Sequence, residues 1–155
     1  MGGHAVDHQT EKLATQVGAA IAAEGWILLT GGRDQGVMAA ATRGARGEGG
    51  LTIGVHPGRR EDGDQADADV IIFTGIGFAR NMVNVLSSDA VIALSGSSGT
   101  LSEVAYARTY GVPTVLLGFD DEGWFGDSVY RAEGVEDAIA WVRQHMADKR
   151  LGTEA

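Results

Sequence analysis

AVIALSGSSGTLSEVAYA, residues 90–107, is the stretch that decides the fold. Five apolar residues come first, a hexad of Ser, Gly and Thr follows, and the last part has the composition of a helix. A run that is apolar at every position is typical of a strand covered on both faces, as in a parallel sheet. Glycine and serine directly after such a strand predict a tight loop that opens a helix. The stretch therefore predicts a strand–loop–helix unit of an α/β protein.

Strand-like and helix-like segments alternate along the rest of the chain. Apolar residues recur at helical spacing in five segments, and short apolar runs between glycines predict five strands. This alternation predicts a parallel sheet wrapped by helices, in a Rossmann-like doubly wound α/β fold. A length of 155 residues fits one domain, which we expect to span residues 1–155. The predicted strands are 26–30, 51–55, 70–73, 90–94 and 114–117, and the predicted helices are 10–24, 37–46, 78–88, 100–110 and 135–149.

Local residue types add finer expectations at the ends of these elements. Thr10 is predicted to cap the first helix, because a threonine hydroxyl accepts a hydrogen bond from the first turn. The strand 114–117 is predicted to be the last, so 118–134 is expected to be a loop that carries Trp124 and Phe125. Residues 150–155 are expected to form a frayed tail.

The chain starts in an unusual way for such a fold. A doubly wound domain normally opens with a strand that feeds a glycine-rich loop. Here Gly2-Gly3-His4 comes first and a helix follows at once. This start predicts a sheet that lacks its usual first strand, through a truncated chain, a misplaced start codon or a real feature of the protein. In the last case, the sheet lacks an inner strand, and strand edges are exposed or need a partner to cover them.

Composition argues against several classes of function. The absence of cysteine excludes disulfides, thiolate metal sites and a thiol nucleophile. The net charge of −9 argues against binding to a nucleic-acid backbone, which needs a basic face. No apolar run approaches the ~20 residues of a membrane span, and no basic-then-apolar leader opens the chain. We therefore expect a cytoplasmic protein that does not associate with membranes.

Polar and glycine-rich loops follow several predicted strands, at the sheet end where such folds bind ligands. Ser95–Thr100 is the clearest candidate for an anion site, because a helix N-terminus attracts anions and glycine lets a phosphate approach closely. The alternative is structural, with Thr100 as the cap and Glu103 completing a Thr-x-x-Glu capping box. His4 and His56 fall at the same end. Without a paired acid we expect both to be solvated, and no metal site is expected.

Familiar nucleotide-binding and hydrolase motifs are absent from the sequence. It contains no G-x-x-x-x-G-K-[ST], and Gly75–Arg80 begins like G-x-G-x-x-G but ends in arginine. The serines of residues 95–98 lack the G-x-S-x-G elbow, so a nucleophilic serine is not predicted. Any phosphate site must therefore be built in another way.

Two longer segments resemble the LOG-like, or SLOG, superfamily. TGGRDQGVMAAATRGARGEGGLTIGVHPG, residues 30–58, is similar to its second strand, its Gly-Gly-x-x-x-Gly-[LV]-Met run and the Ala-rich helix that follows. GFARNMVNVLSSDAVIALSGSSGTLSEVAYA, residues 77–107, is similar to its arginine-bearing helix, the next strand and the P-G-G-x-G-T-x-x-E signature. Ala-Arg-Asn in place of Glu-Arg-Lys resembles most the branch of molybdenum cofactor carrier proteins. The likeness extends over nearly the whole chain.

The resemblance also implies a set of site residues. In the cytokinin-activating members, the matching glutamate and arginine are taken as catalytic for releasing a base from a nucleoside monophosphate. The catalytic residues implied here are Glu103 and Arg80. The implied ligand-binding residues are Gly31, Gly32, Gly36, Val37 and Met38 in one loop, Asn81 beside the arginine, and Gly96, Ser97, Ser98, Gly99 and Thr100 in the phosphate loop.

For function, the resemblance implies a homodimer or higher homo-oligomer that binds a small phosphorylated ligand, a nucleotide or a molybdopterin-type cofactor. The alternative is a nucleoside 5'-monophosphate phosphoribohydrolase. In it, Glu103 stabilises an oxocarbenium-like transition state or activates water, and Arg80 holds the phosphate or orients Glu103. Ser95-Gly96-Ser97 in place of Pro-Gly-Gly, and Asn81 in place of lysine, favour binding over catalysis. A nucleic-acid adaptor like the DprA relatives of the superfamily is a third interpretation, which the net charge disfavours.

Overall fold

Helices and strands alternate in the order that the sequence predicts. The computed structural model describes residues 1–4, 6–119 and 123–151. None of the helices in these residues has the length and hydropathy that a membrane span requires. The elements are α1 His8–Ala23, β1 Leu28–Thr30, α2 Gly36–Gly47, β2 Thr52–His56, β3 Val70–Phe73, α3 Arg80–Leu86, β4 Val91–Ala93, α4 Ser98–Thr109, β5 Thr114–Leu117, β6 Tyr130–Ala132 and α5 Val135–Leu151.

The strands form two separate parallel sheets of three strands each. One has the order β1-β2-β3 and the other the order β4-β5-β6. The edges of β1 and β4 line a common cleft without pairing with each other. Within the cleft Met1 pairs with the edge of β4, because its amino group donates to the Ile92 carbonyl (2.5 Å) and its carbonyl accepts from Leu94 N–H (2.8 Å). The α/β, Rossmann-like prediction is confirmed, with the described strands in two sheets.

Helices cover both faces of β4 and β5, which explains why these two strands are apolar at nearly every position. Ile92 and Leu94 point into a core formed with α1, α2 and α5, whereas Val91 and Ala93 point into a second core formed with α3 and α4. All four residues of β5 are buried for the same reason. This layering brings the loops after β1, β2 and β4 to one end of the molecule.

The helices α1 and α2 approach each other closely through glycine. A Cβ atom added to Gly18 would overlap the main-chain carbonyl of Ala41, and one added to Gly44 would overlap that of Thr15. The two glycines therefore allow the close approach of α1 to α2, the helix that follows the loop after β1.

The structure corrects several local predictions. A sixth strand, β6, lies within the segment predicted as a loop, so β5 is not the last strand. Asp7 is the N-cap of α1, and its Oδ1 accepts from the N–H of Thr10, which sits inside the helix. Phe125 is buried in the core and Trp124 is 74% exposed. Residues 150 and 151 of the predicted frayed tail belong to α5, and residues 152–155 lie outside the described residues.

Candidate functional site

Three glycine-rich loops meet through their main chains at the carboxyl ends of β1 and β4. Gly3 donates its N–H to the Ser95 carbonyl (3.0 Å), and the Gly3 carbonyl accepts from Val37 N–H (3.0 Å). Gly36 has a φ of +49°, and a Cβ there would overlap the Gly3 carbonyl. A Cβ on Gly96 would overlap the Thr100 hydroxyl. Gly36 and Gly96 therefore let the loops pack against each other, which is a structural need besides any contact with a ligand.

The loop after β4 presents the N-terminus of α4 to solvent. Ser97 is the N-cap residue, and its side chain makes no capping hydrogen bond. Ser97 and Ser98 are exposed, Gly99 is half-buried and Thr100 is buried. The first N–H groups of a helix lack partners within the helix, so this loop offers donors to an anion.

The capping-box alternative is wrong for this helix. Because α4 begins at Ser98, Thr100 lies inside its first turn and is not the N-cap. Glu103 is beyond the first turn, and its carboxylate points inward, where it is 6% exposed. The glutamate therefore serves another purpose than capping its own helix.

Glu103 lies in a buried polar cluster with two residues of α3. Its Oε1 is 3.4 Å from Arg80 Nη1 and accepts a hydrogen bond from Asn84 Nδ2 at 3.2 Å. Arg80 is 8% exposed, and Asn84 has no exposed surface. Among the described residues, Arg80 Nε and Asn84 Oδ1 find no hydrogen-bond partner. Buried polar atoms without partners are costly, so their presence here marks a place prepared for another molecule or for water.

Burial governs the electrostatics of this pair. It raises the pKa of Glu103 above its usual range, against the opposing effect of neighbouring positive charges that include Arg80. Burial also lowers the pKa of Arg80, and the nearby charge of Arg33 adds to that lowering. The loss of hydration thus outweighs the mutual attraction of the pair. An anionic ligand beside Arg80 would stabilise the positive charge of the guanidinium, which has lost hydration through burial.

Asn81 holds the phosphate loop in shape. Its Nδ2 donates to the Gly99 carbonyl (3.3 Å) and to Ser102 Oγ (3.0 Å), and Ser102 Oγ in turn donates to the Gly99 carbonyl (2.7 Å). Both contacts tie α3 to the first turn of α4. The side-chain amide nitrogen of Asn81 is therefore engaged within the protein, and only its oxygen remains for a ligand.

The loop after β1 contributes a second arginine that the sequence analysis missed. Arg33 follows Gly31 and Gly32, and its Nε lies 3.4 Å from Asp64 Oδ2 as a charge contact without hydrogen-bond geometry. Its side chain is 41% exposed and lines the same cavity as Arg80. A single arginine within a glycine-rich loop matches no sequence motif. Only its position beside Arg80 in the structure identifies Arg33 as a residue of the site.

The other residues implied for this loop lie deeper. A Cβ on Gly31 would overlap the guanidinium of Arg80, so this glycine makes room for the arginine. Gly32 has a φ of +73° and lies against the main chain of β2. Val37 and Met38 are buried, with Val37 in the hydrophobic core. Gly31, Val37 and Met38 line the same cavity as Arg33, whereas Gly32 packs against β2 and does not line it.

The prediction that His56 is solvated is wrong. His56 is fully buried, its Nδ1 accepts from Gly58 N–H (3.1 Å), and its Nε2 is 3.0 Å from Asp64 Oδ1. Since Nδ1 is an acceptor, Nε2 carries the proton of the neutral ring and donates to Asp64. The nitrogen that faces Asp64 is therefore protonated, which disfavours a metal ion among His56, Asp62 and Asp64.

One cavity of about 600 Å³ connects these features. It opens beside the loops and continues between the edges of β1 and β4, where its walls are apolar. This size lies within the range of small-molecule sites, about 300–1,000 Å³. Its polar end is lined by Arg33, Arg80, Asn81, Ser97, Gly99, Thr100 and Glu103.

Solved structures with a similar fold and sequence include proteins of molybdenum cofactor metabolism. The molybdenum cofactor binding protein of Rippkaea orientalis is 43% identical, with a TM-score of 0.86, over 92% of this chain and 91% of that one. The molybdenum cofactor carrier protein of Chlamydomonas reinhardtii is 40% identical, with a TM-score of 0.85, over 95% and 94% of the two chains.

A curated relative has an enzyme name. The cytokinin riboside 5'-monophosphate phosphoribohydrolase of Mycobacterium tuberculosis is 44% identical over 115 residues. These residues make up 68% of this chain and only 61% of the enzyme. The model of the SLOG cluster4 family matches residues 1–148, which include every loop and side chain of the site described above. The chain thus belongs to the SLOG cluster4 family.

Proposed function

We propose that this protein binds a small phosphorylated ligand, of molybdopterin or nucleotide type, at the carboxyl ends of β1 and β4. One observation carries the proposal: a buried arginine, Arg80, has an unpartnered Nε and lies beside a second arginine and an open helix N-terminus. In a chain of net charge −9, two guanidinium groups in one cavity attract an anion locally. Phosphate suits this donor set, because guanidinium and main-chain N–H groups both donate to its oxygens.

The related proteins favour a carrier over an enzyme. The two molybdenum cofactor proteins match over more than nine-tenths of both chains, whereas the mycobacterial enzyme is matched over 61% of its length. The residues present fit a molybdopterin-type ligand through its phosphate, which Arg80, Arg33 and the N–H groups of residues 98–100 would hold. We expect the protein to act in the cytoplasm as a carrier of this ligand.

Ligand binding is tested by thermal denaturation and calorimetry with molybdopterin, AMP, GMP and ribose 5-phosphate. A ligand at 100 times its dissociation constant adds about 2.7 kcal/mol to the free energy of unfolding. For a domain of this size we therefore expect at least one of these compounds to raise the Tm by about 5–10 °C. Sodium chloride at the same ionic strength is the control for non-specific salt effects. Tm values and heats that respond to none of the four compounds would contradict the proposal.

A phosphoribohydrolase is the second candidate, and Glu103 favours it. Glu103 lines the polar end of the cavity, and burial raises the pKa of its carboxyl group. A buried carboxyl group beside a ribose can donate a proton or stabilise an oxocarbenium ion. Incubation with nucleoside monophosphates, followed by chromatography for free base, tests this candidate. If the protein is an enzyme, Glu103→Gln should lower base release by a factor of 100 or more while ligand binding persists. No release from any nucleotide that binds would leave the carrier function alone.

We further propose that the protein is a homodimer or a higher homo-oligomer. Val70 and Ile72 on the edge strand β3 are 44% and 49% exposed, and Val83 and Leu86 on α3 are 40% and 53% exposed. The resemblance to the superfamily favours a second copy of the chain as the partner that covers this apolar surface. In sedimentation equilibrium we expect a dimer or larger species that Leu86→Asp dissociates, whereas Tyr110→Asp at the end of α4 should not. A wild-type monomer at micromolar concentration would contradict this proposal.

A further inference from the structure

We propose that Phe78 stacks on the heteroaromatic ring of the ligand and thereby selects ring-bearing phosphates over simple ones. This inference rests on the proposed function and extends it to the other end of the ligand. Phe78 is 81% exposed, more than any other large apolar residue among those described. Exposure of a single ring proves nothing by itself, so the position of the ring carries the inference.

The ring lies beside the phosphate loop. A Cβ atom added to Gly99 would be 3.8 Å from Phe78 Cε1, which is ordinary van der Waals contact. Phe78 also lines the cavity that contains Arg80 and Glu103. If the phosphate of a ligand binds at this loop, the part of the ligand attached to the phosphate can therefore reach the flat, apolar ring of Phe78.

The main chain presents this ring in a defined way. Phe78 belongs to a 3-10 turn over Gly77–Ala79, which leads directly into α3. Two hydrogen bonds hold the turn to the loop after β2: Gly75 N–H donates to the Gly58 carbonyl (3.0 Å), and Gly77 N–H donates to the Pro57 carbonyl (2.9 Å). The main chain that carries the ring is thus held before the ligand arrives, so on binding only the side chain of Phe78 loses conformational freedom.

The same turn carries two groups that suit different parts of a ligand, a positive charge and an aromatic ring. Arg80 follows Phe78 by two residues, yet its guanidinium is buried and the phenyl ring is exposed. The pair therefore suits a molecule with an anionic group at one end and a planar ring at the other. Pterins and purines share this chemistry, and a flat ring gains free energy by stacking on an aromatic side chain whichever of the two it is.

The test compares ligands with and without a ring on matched variants. Isothermal titration calorimetry would measure AMP, a pterin monophosphate and ribose 5-phosphate against wild type, Phe78→Ala and Phe78→Tyr. We expect Phe78→Ala to weaken binding of AMP, the pterin or both by about fivefold or more, to leave ribose 5-phosphate unchanged, and Phe78→Tyr to retain wild-type affinity. Trp124→Ala, which removes an exposed aromatic ring away from the cavity, should change nothing.

The outcomes separate this inference from the proposed function. Two results would contradict stacking by Phe78 but not phosphate binding. Wild type could bind ribose 5-phosphate as tightly as the ring-bearing ligands, or Phe78→Ala could weaken the binding of all three compounds equally. If wild type binds none of the three compounds and no molybdopterin, both proposals are wrong. Discrimination between AMP and the pterin by wild type would show which kind of ring the site accepts.

Discussion

Arg80→Gln is expected to weaken the binding of phosphorylated ligands by about 10- to 100-fold. A hydrogen bond to a charged group contributes about 1.5–3 kcal/mol, and each 1.4 kcal/mol is a factor of ten in affinity. Glutamine keeps a donor for Glu103 but removes the positive charge that lines the polar end of the cavity. Calorimetric titration of the tightest-binding compound would measure the change.

Two comparisons make the Arg80→Gln result specific. Arg43→Gln changes the net charge by the same amount at an exposed position of α2, so it should leave affinity within a factor of two. Arg33→Gln removes the partly exposed arginine and should have an intermediate effect. Glu103 loses its buried cation in the Arg80 variant, so the Tm must be measured as well. A folded Arg80→Gln protein with wild-type affinity would show that the anion does not bind at this arginine.

Gly18→Ala is expected to lower the free energy of unfolding by about 3 kcal/mol and the Tm by about 10 °C. The new Cβ would overlap the main-chain carbonyl of Ala41, which cannot turn away as a side chain can. The helices α1 and α2 must therefore move apart, and their shared core loses contacts. Helix propensity alone predicts the opposite sign, because alanine is favoured over glycine by about 1 kcal/mol within a helix. Urea unfolding would distinguish the two expectations.

Gly47→Ala provides the matched control for Gly18→Ala. Gly47 is the last residue of α2, has no positive φ, and an added Cβ there would have no atom within 4 Å. This substitution should leave stability unchanged or raise it by up to about 1 kcal/mol. Equal stabilities for the two variants would contradict the close approach of α1 and α2.

The order of elements could be predicted because most of them carry a periodic apolar pattern. The strands Val70–Phe73 and Thr114–Leu117 have the bounds that the sequence predicts. In contrast, β6 has only three residues, of which Tyr130 and Arg131 are exposed, so no apolar run marks it. Asp7 could not be distinguished from Thr10 as the cap of α1, since both residue types accept hydrogen bonds at an N-terminus.

For the candidate site, the sequence predicts the location but not the partners of the side chains. Glycine loops next to buried strands predict where the site lies, because the fold brings these loops to one end. The partners of each side chain depend on contacts distant in sequence. Asn84 donates to a carboxylate 19 residues away, and Asp64 accepts from a buried histidine that showed no paired acid in the sequence. Arg33 likewise becomes visible only when Arg80 lies beside it.

The division between the two sheets has a consequence for the ligand itself. Arg33 follows β1 of the first sheet, and the phosphate loop follows β4 of the second, yet no strand pairing joins β1 to β4. A molecule held by both would act as a cross-link, and its binding energy would add to the cohesion between the two halves of the protein. Amide hydrogens on both sides of the cleft would then become protected from exchange together. If the protein has the carrier function proposed above, it would be most stable with its ligand bound, because a ligand that binds only the folded state stabilises that state.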